Sequence, residues 1–469
     1  FWRERLGVNA FLLTLFLQGS LWYLHPECRQ NRAVWFTGIG TLGTALLIVF
    51  VNSDLVKVVH FFSLLVFAGF VQQRELRFVV YAFLLSLINL LRTPYTLFQE
   101  IGHYLVPATN SSHKKWAYQS QLVLLPAIVL LVFYWLYYVA NPNFAGLADH
   151  FWAHFTSFFA GRISIERGLF LFLGLIMVGG LLWKSPLTFF AQKEQSHRHT
   201  LQRQRSEFDP AKKRNRSTMG LRKEYQSAWI LFIALNSLLF LFNLTDIVYV
   251  WFGSAPQSAA SLSYDVHQGT NLLIVAILLA MFLILWFFRK NLNFFPYNTA
   301  LRKLAYFWLA QNAVLVCSVG MRNYRYVEFC GLAYKRIGVF LFLMLTLYGL
   351  YSLYQKVNQK RSLYFVLHQN AWALYCLLLT ASSINWDLYI TRYNLTAPTT
   401  EEVDLRFLMN EVSDKNIFLL HAVEDQFQEN DFFTKRLIEK KEQFLRRQAS
   451  QTWRSWNWPD ARNLRLLQD

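Results

Sequence analysis

Long apolar stretches recur along most of the chain, separated by short basic loops, and this pattern constrains the fold more than any other feature. A helix needs roughly 20 apolar residues to cross a bilayer, where only bonding within the helix satisfies the backbone. The 469 residues are 54% hydrophobic and 16% charged, a balance typical of multi-spanning membrane proteins. We therefore predict an all-α, polytopic transmembrane helix bundle.

Hydropathy predicts about eleven spans, with nine as the open alternative. The predicted spans cover residues 6–24, 33–51, 58–71, 78–91, 121–140, 168–190, 228–252, 267–288, 304–321, 332–354 and 363–384. The third and fourth stretches are short and could instead form a re-entrant pair, which would lower the count by two. Residues 93–106 and 147–160 have apolar or aromatic faces that are typical of interfacial helices.

Lys and Arg are concentrated in the loops on one side of the predicted spans, above all between residues 192 and 224. Cytoplasmic loops carry an excess of Lys and Arg, so this side is predicted to be cytoplasmic. The N-terminus would then be cytoplasmic, and the tail from residue 385 would lie on the opposite side of the membrane. The formal net charge of +18 is spread over loops rather than gathered on one face, which argues against a nucleic-acid partner.

The basic segment divides the chain into four predicted regions. They are a front transmembrane half of about six spans (1–190), a basic cytoplasmic loop (191–225), a rear transmembrane half of about five spans (226–384) and a helical extracytoplasmic tail (385–469). The tail contains no apolar stretch of spanning length. We interpret it as a small cap that engages a protein partner of the cell envelope, while membrane lipids surround the spans.

Within the tail, the apolar periodicity predicts helices over residues 401–409 and 431–448. Phe433, Leu437 and Phe444 would share the apolar face of the second helix. Three tryptophans follow near the end of the chain, and two placements are open for them. They could pack the tail onto the bilayer surface or onto the helix bundle. These residues are Trp453, Trp456 and Trp458.

Polar residues gather at the predicted outer ends of the rear spans, and we interpret them as one candidate binding layer. Ionisable residues near a membrane are costly and usually face the bundle interior, which makes a functional role the first hypothesis. The layer comprises Asp265, His267, Gln268, Arg322, Arg325, Glu328, Tyr334, Arg336, Asp387 and Arg392. The alternative is purely structural, because charges at headgroup depth can pair between loops or extend to water at little cost.

Within this layer, three arginines are the candidate anion-binding groups: Arg322, Arg325 and Arg336. Arg suits phosphate or carboxylate because its planar fork donates two hydrogen bonds at once. Three other members would serve as counter-charges or proton carriers, namely Asp265, His267 and Glu328.

Two more polar residues, Asn243 and Asp246, lie inside the outer half of the seventh predicted span. A carboxylate at that depth needs a partner, and an Arg of the layer is the natural one.

The sequence indicates no metal site and no cofactor. His150 and His154 have the i,i+4 spacing of metal ligands, and Asp149 is adjacent, but no third ligand is evident nearby. Glu100 and His103 form a single E-x-x-H, which we interpret as solvated polar residues rather than a di-iron motif. The chain has no G-x-S-x-G, Walker, G-x-G-x-x-G or H-E-x-x-H motif, so an enzyme of a common class is not expected.

The rear half resembles an uncharacterised bacterial family of integral membrane proteins, the domains of unknown function of the 4153 and 4173 type. The resemblance rests on the segments 265–270, 331–339, 385–387 and 392–394, within approximately residues 263–395. The richness in Phe, Tyr and Trp is similar to a Bacteroidota-type member. The resemblance implies a polytopic membrane fold and draws attention to the polar layer, but it implies no activity.

Three functions are compatible with these features. The first is a non-enzymatic scaffold, sensor or accessory subunit of an envelope complex, which predicts that the polar layer pairs with itself or with a partner. The second is a transporter or flippase-like protein for an anionic small molecule or lipid, which predicts a polar cavity running past Asp246 and Asn236. The third is a membrane-embedded transferase acting on a phosphate-bearing lipid, with His267 or Asp265 as base.

Overall fold

The computed structural model describes residues 1–2, 4–105, 126, 129–159, 165–184, 187–203, 216–252, 270–289, 291–396 and 405–468. Within this part of the chain the α-helices are α1 (Val8–Leu24), α2 (Arg32–Phe50), α3 (Asp54–Gln72), α4 (Val79–Leu105), α5 (Val129–Ala140), α6 (Pro142–Phe159), α7 (Ile165–Leu182), α8 (Phe189–Ser196) and α9 (Arg216–Asp246). They continue with α10 (Thr270–Phe287), α11 (Asn298–Cys330), α12 (Tyr334–Asn358), α13 (Leu363–Ser382), α14 (Trp386–Thr396), α15 (Leu405–Asn410), α16 (Ile417–Ala422), α17 (Asp431–Ala449) and α18 (Trp458–Gln468).

Six of the described helices are long and apolar enough to cross a membrane. They are Arg32–Phe50, Asp54–Gln72, Val79–Leu97, Gly220–Trp251, Asn298–Cys330 and Tyr334–Asn358. Shorter apolar helices accompany them at Val8–Leu24, Val129–Ala140 and Asn271–Phe287. The prediction of an all-α, polytopic bundle with a helical tail is confirmed, and the chain is an integral membrane protein of helical type.

The third and fourth predicted spans form continuous helices, which favours two spans over a re-entrant pair. Helix α3 has 19 residues and α4 has 27, so each is long enough to cross the hydrocarbon core. The separate interfacial helix predicted over residues 93–106 is wrong, because α4 continues through Pro94. Proline removes one helical hydrogen bond but keeps a helical φ, so a long, well-packed helix can continue past it.

The chain folds into two compact units. The front unit comprises Phe1–Gly43 and His60–Gln192, and the rear unit comprises Thr44–Val59 and Lys193–Asp469. In the front unit, buried polar side chains bond between helices. The Gln72 amide donates to the carbonyls of Gly180 (3.1 Å) and Leu181 (3.0 Å), and the hydroxyls of Thr41 and Ser63 lie 2.8 Å apart.

In the rear unit, α11 packs against α9, α10 and α12, and α12 packs against α13. The main apolar core lies among these helices and includes fully buried Phe232, Ile284, Leu301 and Leu353. Polar residues are also buried at its edge. Lys356, which lies just beyond the predicted span 332–354, is 1% exposed and donates to the carbonyls of Phe288 and Arg361, each at 3.0 Å. The interhelical carbonyls thus replace water around its ammonium group.

The tail of the rear unit contains α14 to α18. The predicted apolar face of the long tail helix is confirmed, since Phe433, Leu437 and Phe444 are all at most 1% exposed. Phe433 and Leu437 pack with Met409 and Leu420 in a small core of their own. The three C-terminal tryptophans are not buried; Trp453 is the most exposed, at 67%.

Candidate functional site at the tail end of the rear bundle

The described members of the predicted polar layer lie on segments that come together where α11 ends, α12 begins, α13 ends and α14 begins. We call this region the tail end of the rear bundle. The segments that bring them there are the last turns of α11, the first turn of α12, and α14. The described members are Arg322, Arg325, Glu328, Tyr334, Arg336, Asp387 and Arg392. Asp265, His267 and Gln268 lie outside the described residues.

Asp387 connects three segments at this end. It belongs to α14 and is 5% exposed, so its carboxylate needs local donors. The Tyr334 hydroxyl, from the start of α12, donates to one carboxylate oxygen, and the Ser413 hydroxyl, from the tail, donates to the other. We call these three residues the Asp387 joint. Ser413 was not predicted, because nothing in its local sequence indicates a partner so far along the chain.

Lys440 stabilises the same region from the tail helix α17. Its ammonium group donates to the carbonyls of Val412 (2.8 Å), Met409 (3.3 Å) and Leu408 (3.4 Å), just where α15 ends. A cation suits the end of a helix, where carbonyls lack partners. Burial lowers the pKa of Lys440 to about 8, in spite of the nearby carboxylates of Asp414 and Asp387.

A second connection at this end joins α14 to the turn between α11 and α12. The Leu332 amide donates to Asn394 Oδ1 at 2.6 Å, and Asn394 Nδ2 donates to the Leu332 carbonyl at 2.9 Å. The turn requires Gly331, whose φ is +79°. A Cβ at Gly331 would also lie 2.7 Å from Asn394 Oδ1. The segments 331–339 and 392–394 that carried the family resemblance therefore lie in contact.

Arg336 holds the turn from its other side. Its guanidinium donates to the carbonyls of Cys330, at 2.8 Å, and Gly331, and lies 4.2 Å from the Tyr326 ring centroid. Asn323 donates to the Arg336 carbonyl at 3.0 Å. This arginine therefore fixes the ends of two helices, and its proposed role in anion binding stays a prediction.

Below the tail end, polar side chains join α9 to α11 at intervals of seven residues. Asn236 Nδ2 lies 3.2 Å from the Leu304 carbonyl, and Asn243 Nδ2 lies 3.0 Å from the Gln311 carbonyl. Residue numbers rise together on both helices, so the helices run parallel. A seven-residue repeat is the spacing at which two helices in left-handed packing present the same face to each other. We call these contacts the α9–α11 ladder.

The next step of the ladder is displaced by one residue. Trp251, rather than residue 250, donates from its indole to Ser318 Oγ at 2.9 Å, and accepts at its carbonyl from Arg325 at 3.2 Å. The reason is a π-helical turn over Ile247–Trp251. Such a turn inserts one residue into an α-helix. The insertion restores the register that the seven-residue spacing requires.

The predicted partner of Asp246 is confirmed as an arginine of the polar layer. Arg322 forms an ion pair with one Asp246 oxygen, and the two side chains are 21% and 6% exposed respectively. Several buried atoms beside them have no hydrogen-bond partner among the described residues: Asp246 Oδ2, Arg322 Nε, Asn243 Oδ1 and Gln311 Oε1. The ion pair is therefore only partly satisfied.

An apolar groove lies beside the Asp387 joint, and it was not predicted. Its volume is about 480 Å³, and α11, α12, α13 and α14 all line it. A volume of this order and a position between helices are typical of ligand pockets. We call it the tail-end groove.

Among the residues that the structure describes, the remaining candidates form no metal site. His150 is exposed, and Asp149 accepts a hydrogen bond from the Tyr138 hydroxyl at 3.0 Å. The side chains of His154, Glu100 and His103 lie outside the described residues. Among the described residues, no group of three or more His, Cys, Asp or Glu side chains could hold a metal ion.

Comparison with known proteins identifies one family. A family model described as Domain of unknown function (DUF4153) matches residues 12–422, which is most of the chain. The resemblance inferred from residues 263–395 is thereby confirmed and extended to the front unit and part of the tail. Comparison with curated proteins and with solved structures finds no match.

Proposed function

Because the chain belongs to this family of unknown function, no activity comes with the family, and we propose a function from the site itself. The protein is a non-enzymatic membrane module, an accessory or scaffold subunit that holds its tail at the membrane for a protein partner of the cell envelope. The observation that carries this proposal is the Asp387 joint, in which a buried carboxylate of the tail accepts from Tyr334 of the bundle with one oxygen and from Ser413 of the tail with the other. A site built to bind or transform a ligand would keep such an oxygen accessible.

The tail has a surface suited to a partner. Seven large apolar side chains are exposed on it, although its core is already formed by others. They are Phe432, Ile438, Leu445, Trp453, Trp456, Trp458 and Leu466. Tryptophan is enriched in the residues that dominate protein interfaces, and exposed apolar groups in number mark interaction surfaces. The joint fixes this surface relative to the spans that follow Tyr334.

Site-specific photocrosslinking in the native host tests this proposal. A photoreactive amino acid replaces Trp453 in the full chain, and we expect a discrete protein adduct. Asp387→Ala should abolish the adduct, because the tail would no longer be held in place. Glu429→Ala, which removes an exposed tail carboxylate, is the matched control and should leave the adduct unchanged.

Two results would contradict the proposal. The first is that the probe at position 453 crosslinks only to lipid. The second is that Asp387→Ala keeps the protein adduct although hydrogen exchange shows that its tail is released from the bundle. If that variant does not accumulate, Tyr334→Phe and Ser413→Ala each remove one donor to the joint and serve in its place.

We extend the proposal to location: the inner membrane of a bacterium, with the N-terminus cytoplasmic and the tail periplasmic. The distribution of Lys and Arg among the loops supports this orientation. A membrane-impermeant maleimide should label Glu429→Cys in intact spheroplasts and should label Gln202→Cys only after lysis. The four native cysteines are replaced first. The opposite labelling pattern would reverse the orientation.

A transporter or flippase-like function for an anion or lipid is the second candidate. The buried acceptors Asn243 Oδ1, Asp246 Oδ2 and Gln311 Oε1 favour it, because they have no hydrogen-bond partner among the described residues. Against it, Asn236 and Asn243 bond across the α9–α11 ladder. If proteoliposomes that contain the protein take up organic anions, and Asp246→Asn abolishes this uptake, the transporter function replaces the scaffold proposal. A transferase acting on a lipid phosphate has no further support, since its proposed bases lie outside the described residues.

A further inference from the structure

The tail-end groove has the shape of a site for one extended hydrocarbon chain. On α12 it is lined by Ile337, Phe340, Leu341 and Met344, which follow the i, i+3, i+4, i+7 pattern of a single helix face. These residues span about 10 Å along the helix at 1.5 Å per residue. The groove therefore extends from the tail end along the direction of the spans, which is also the average direction of lipid chains.

The facing wall on α13 has the same periodicity. Leu377, Thr380 and Ala381 line it at i, i+3 and i+4, and Ile384 follows just after the helix ends. Met344 and Ile384 are 60% and 42% exposed, so the groove is open to the side rather than enclosed. In a bundle of spanning helices, a lateral opening at this level faces lipid.

An apolar chain in a bilayer is already in an apolar solvent, so an apolar wall alone would not select one lipid from another. Selection requires polar groups at the mouth of the groove, where the headgroup would lie. The chemistry at that mouth therefore decides which lipid the groove fits.

The mouth combines three phenol rings with a carboxylate. Tyr324, Tyr389 and Tyr393 line the groove at its tail end. Glu328 follows Tyr324 by four residues on α11 and is exposed, so the two side chains lie on the same face of that helix, and Tyr389 and Tyr393 have the same spacing on α14. Aromatic faces and a carboxylate together recognise an ammonium group, through cation–π attraction and charge pairing. Arg392 is exposed on the turn of α14 between Tyr389 and Tyr393, where it can contact a phosphate.

We propose that the tail-end groove binds one chain of a zwitterionic phospholipid, with the headgroup ammonium among Tyr324, Tyr389, Tyr393 and Glu328 and the phosphate beside Arg392. The lipid chain lies in the tail-end groove, between α12, α13 and the tail helix α14. This site is separate from the partner surface proposed above, and its test involves no protein partner.

Native mass spectrometry of the full chain in detergent tests the proposal directly. Phosphatidylethanolamine and phosphatidylglycerol with identical chains are added in equal amounts. We expect one phosphatidylethanolamine to remain bound, about tenfold in preference, which corresponds to ~1.4 kcal/mol. Glu328→Gln should bring the preference close to one, whereas Glu411→Gln, a control at an exposed tail carboxylate, should keep it.

A second pair of variants tests the groove itself. Thr380→Trp fills the groove from an exposed position on α13 and should remove the retained lipid. Leu367→Trp places the same ring at an exposed position 13 residues earlier on α13, about 20 Å from Thr380 along the helix, and should not. Equal retention of the two lipids by the wild type would mean annular lipid only and would overturn the proposal. Unchanged retention in Thr380→Trp would overturn the assignment to this groove.

Discussion

Two ion pairs in the rear unit each join a cation to a buried aspartate, but their surroundings differ. In the bundle, Arg322 pairs with Asp246; in the tail, Lys415 pairs with Asp460, and both tail side chains are at most 6% exposed. Asp460 also accepts from Asn457 Nδ2 at 2.8 Å, so both of its oxygens have donors. Asp246 has one oxygen without a partner among the described residues.

The difference shows what each pair contributes. A buried pair stabilises a fold only when its remaining lone pairs and protons are also satisfied. Burial by itself raises the pKa of Asp460, but Lys415 and Asn457 outweigh burial and lower it. The tail pair therefore has both carboxylate oxygens satisfied, and it stabilises the fold of the tail. In the bundle, packing of α9 on α11 holds the helices, and the ion pair is secondary.

The largest effect should come from breaking the tail pair. Lys415→Met leaves the Asp460 carboxylate buried without its cation, which costs ~3–5 kcal/mol. Hydrogen exchange of the full-length protein should show residues 405–468 losing protection while α11 and α12 keep theirs. If the tail stays protected, the pair is dispensable and the contrast with the bundle disappears.

The bundle pair should respond less, and in a different pattern. Asp246→Leu and Arg322→Met should each cost ~2 kcal/mol, since Arg322 is partly exposed and can turn toward water. The double variant Asp246→Leu with Arg322→Met should cost less than either single change, because it leaves no unpaired charge. Thermal unfolding in detergent measures this cycle. A double variant as unstable as the sum of the singles would show that Asp246 and Arg322 do not stabilise each other, and would contradict the ion pair.

A pH-dependent effect separates the tail from the bundle further. With the pKa of Lys440 lowered to about 8, the folded state releases its proton at lower pH than the unfolded state does. Stability therefore rises as pH increases from about 8 toward the ordinary lysine value. Relative to Lys440→Met, the wild-type tail should gain about 1 kcal/mol between pH 7 and pH 9. A difference that stays constant across this range would contradict the assigned burial.

The smallest effect is expected at the surface of α17. Glu442 and Arg446 form a pair at 3.3 Å with side chains that are 59% and 82% exposed. Glu442→Gln should change tail stability by less than about 0.5 kcal/mol, because solvent screens such pairs. A larger loss would mean that this face is covered by another part of the protein or by a partner.

The sequence predicted what depends on local periodicity. The membrane spans and the apolar face of α17 follow from the spacing of apolar residues. The arginine partner of Asp246 follows from the cost of burying a charge. The Asp387 joint could be predicted only in part, because Ser413 reaches it from a separate tail segment whose packing no periodicity encodes. The tail-end groove was missed because its lining residues look like ordinary lipid-facing positions in a linear sequence.

The π-helical turn at Ile247–Trp251 makes the length of α9 locally adjustable. Elsewhere in the helix, removing one residue would rotate everything beyond it by about 100° and misalign the ladder. Removing one residue within this turn would instead convert it to an ordinary α-helical turn and leave the Trp251 indole opposite Ser318. Homologous chains that differ by a single-residue deletion are therefore expected to differ here, and the position serves as a reference point for aligning them.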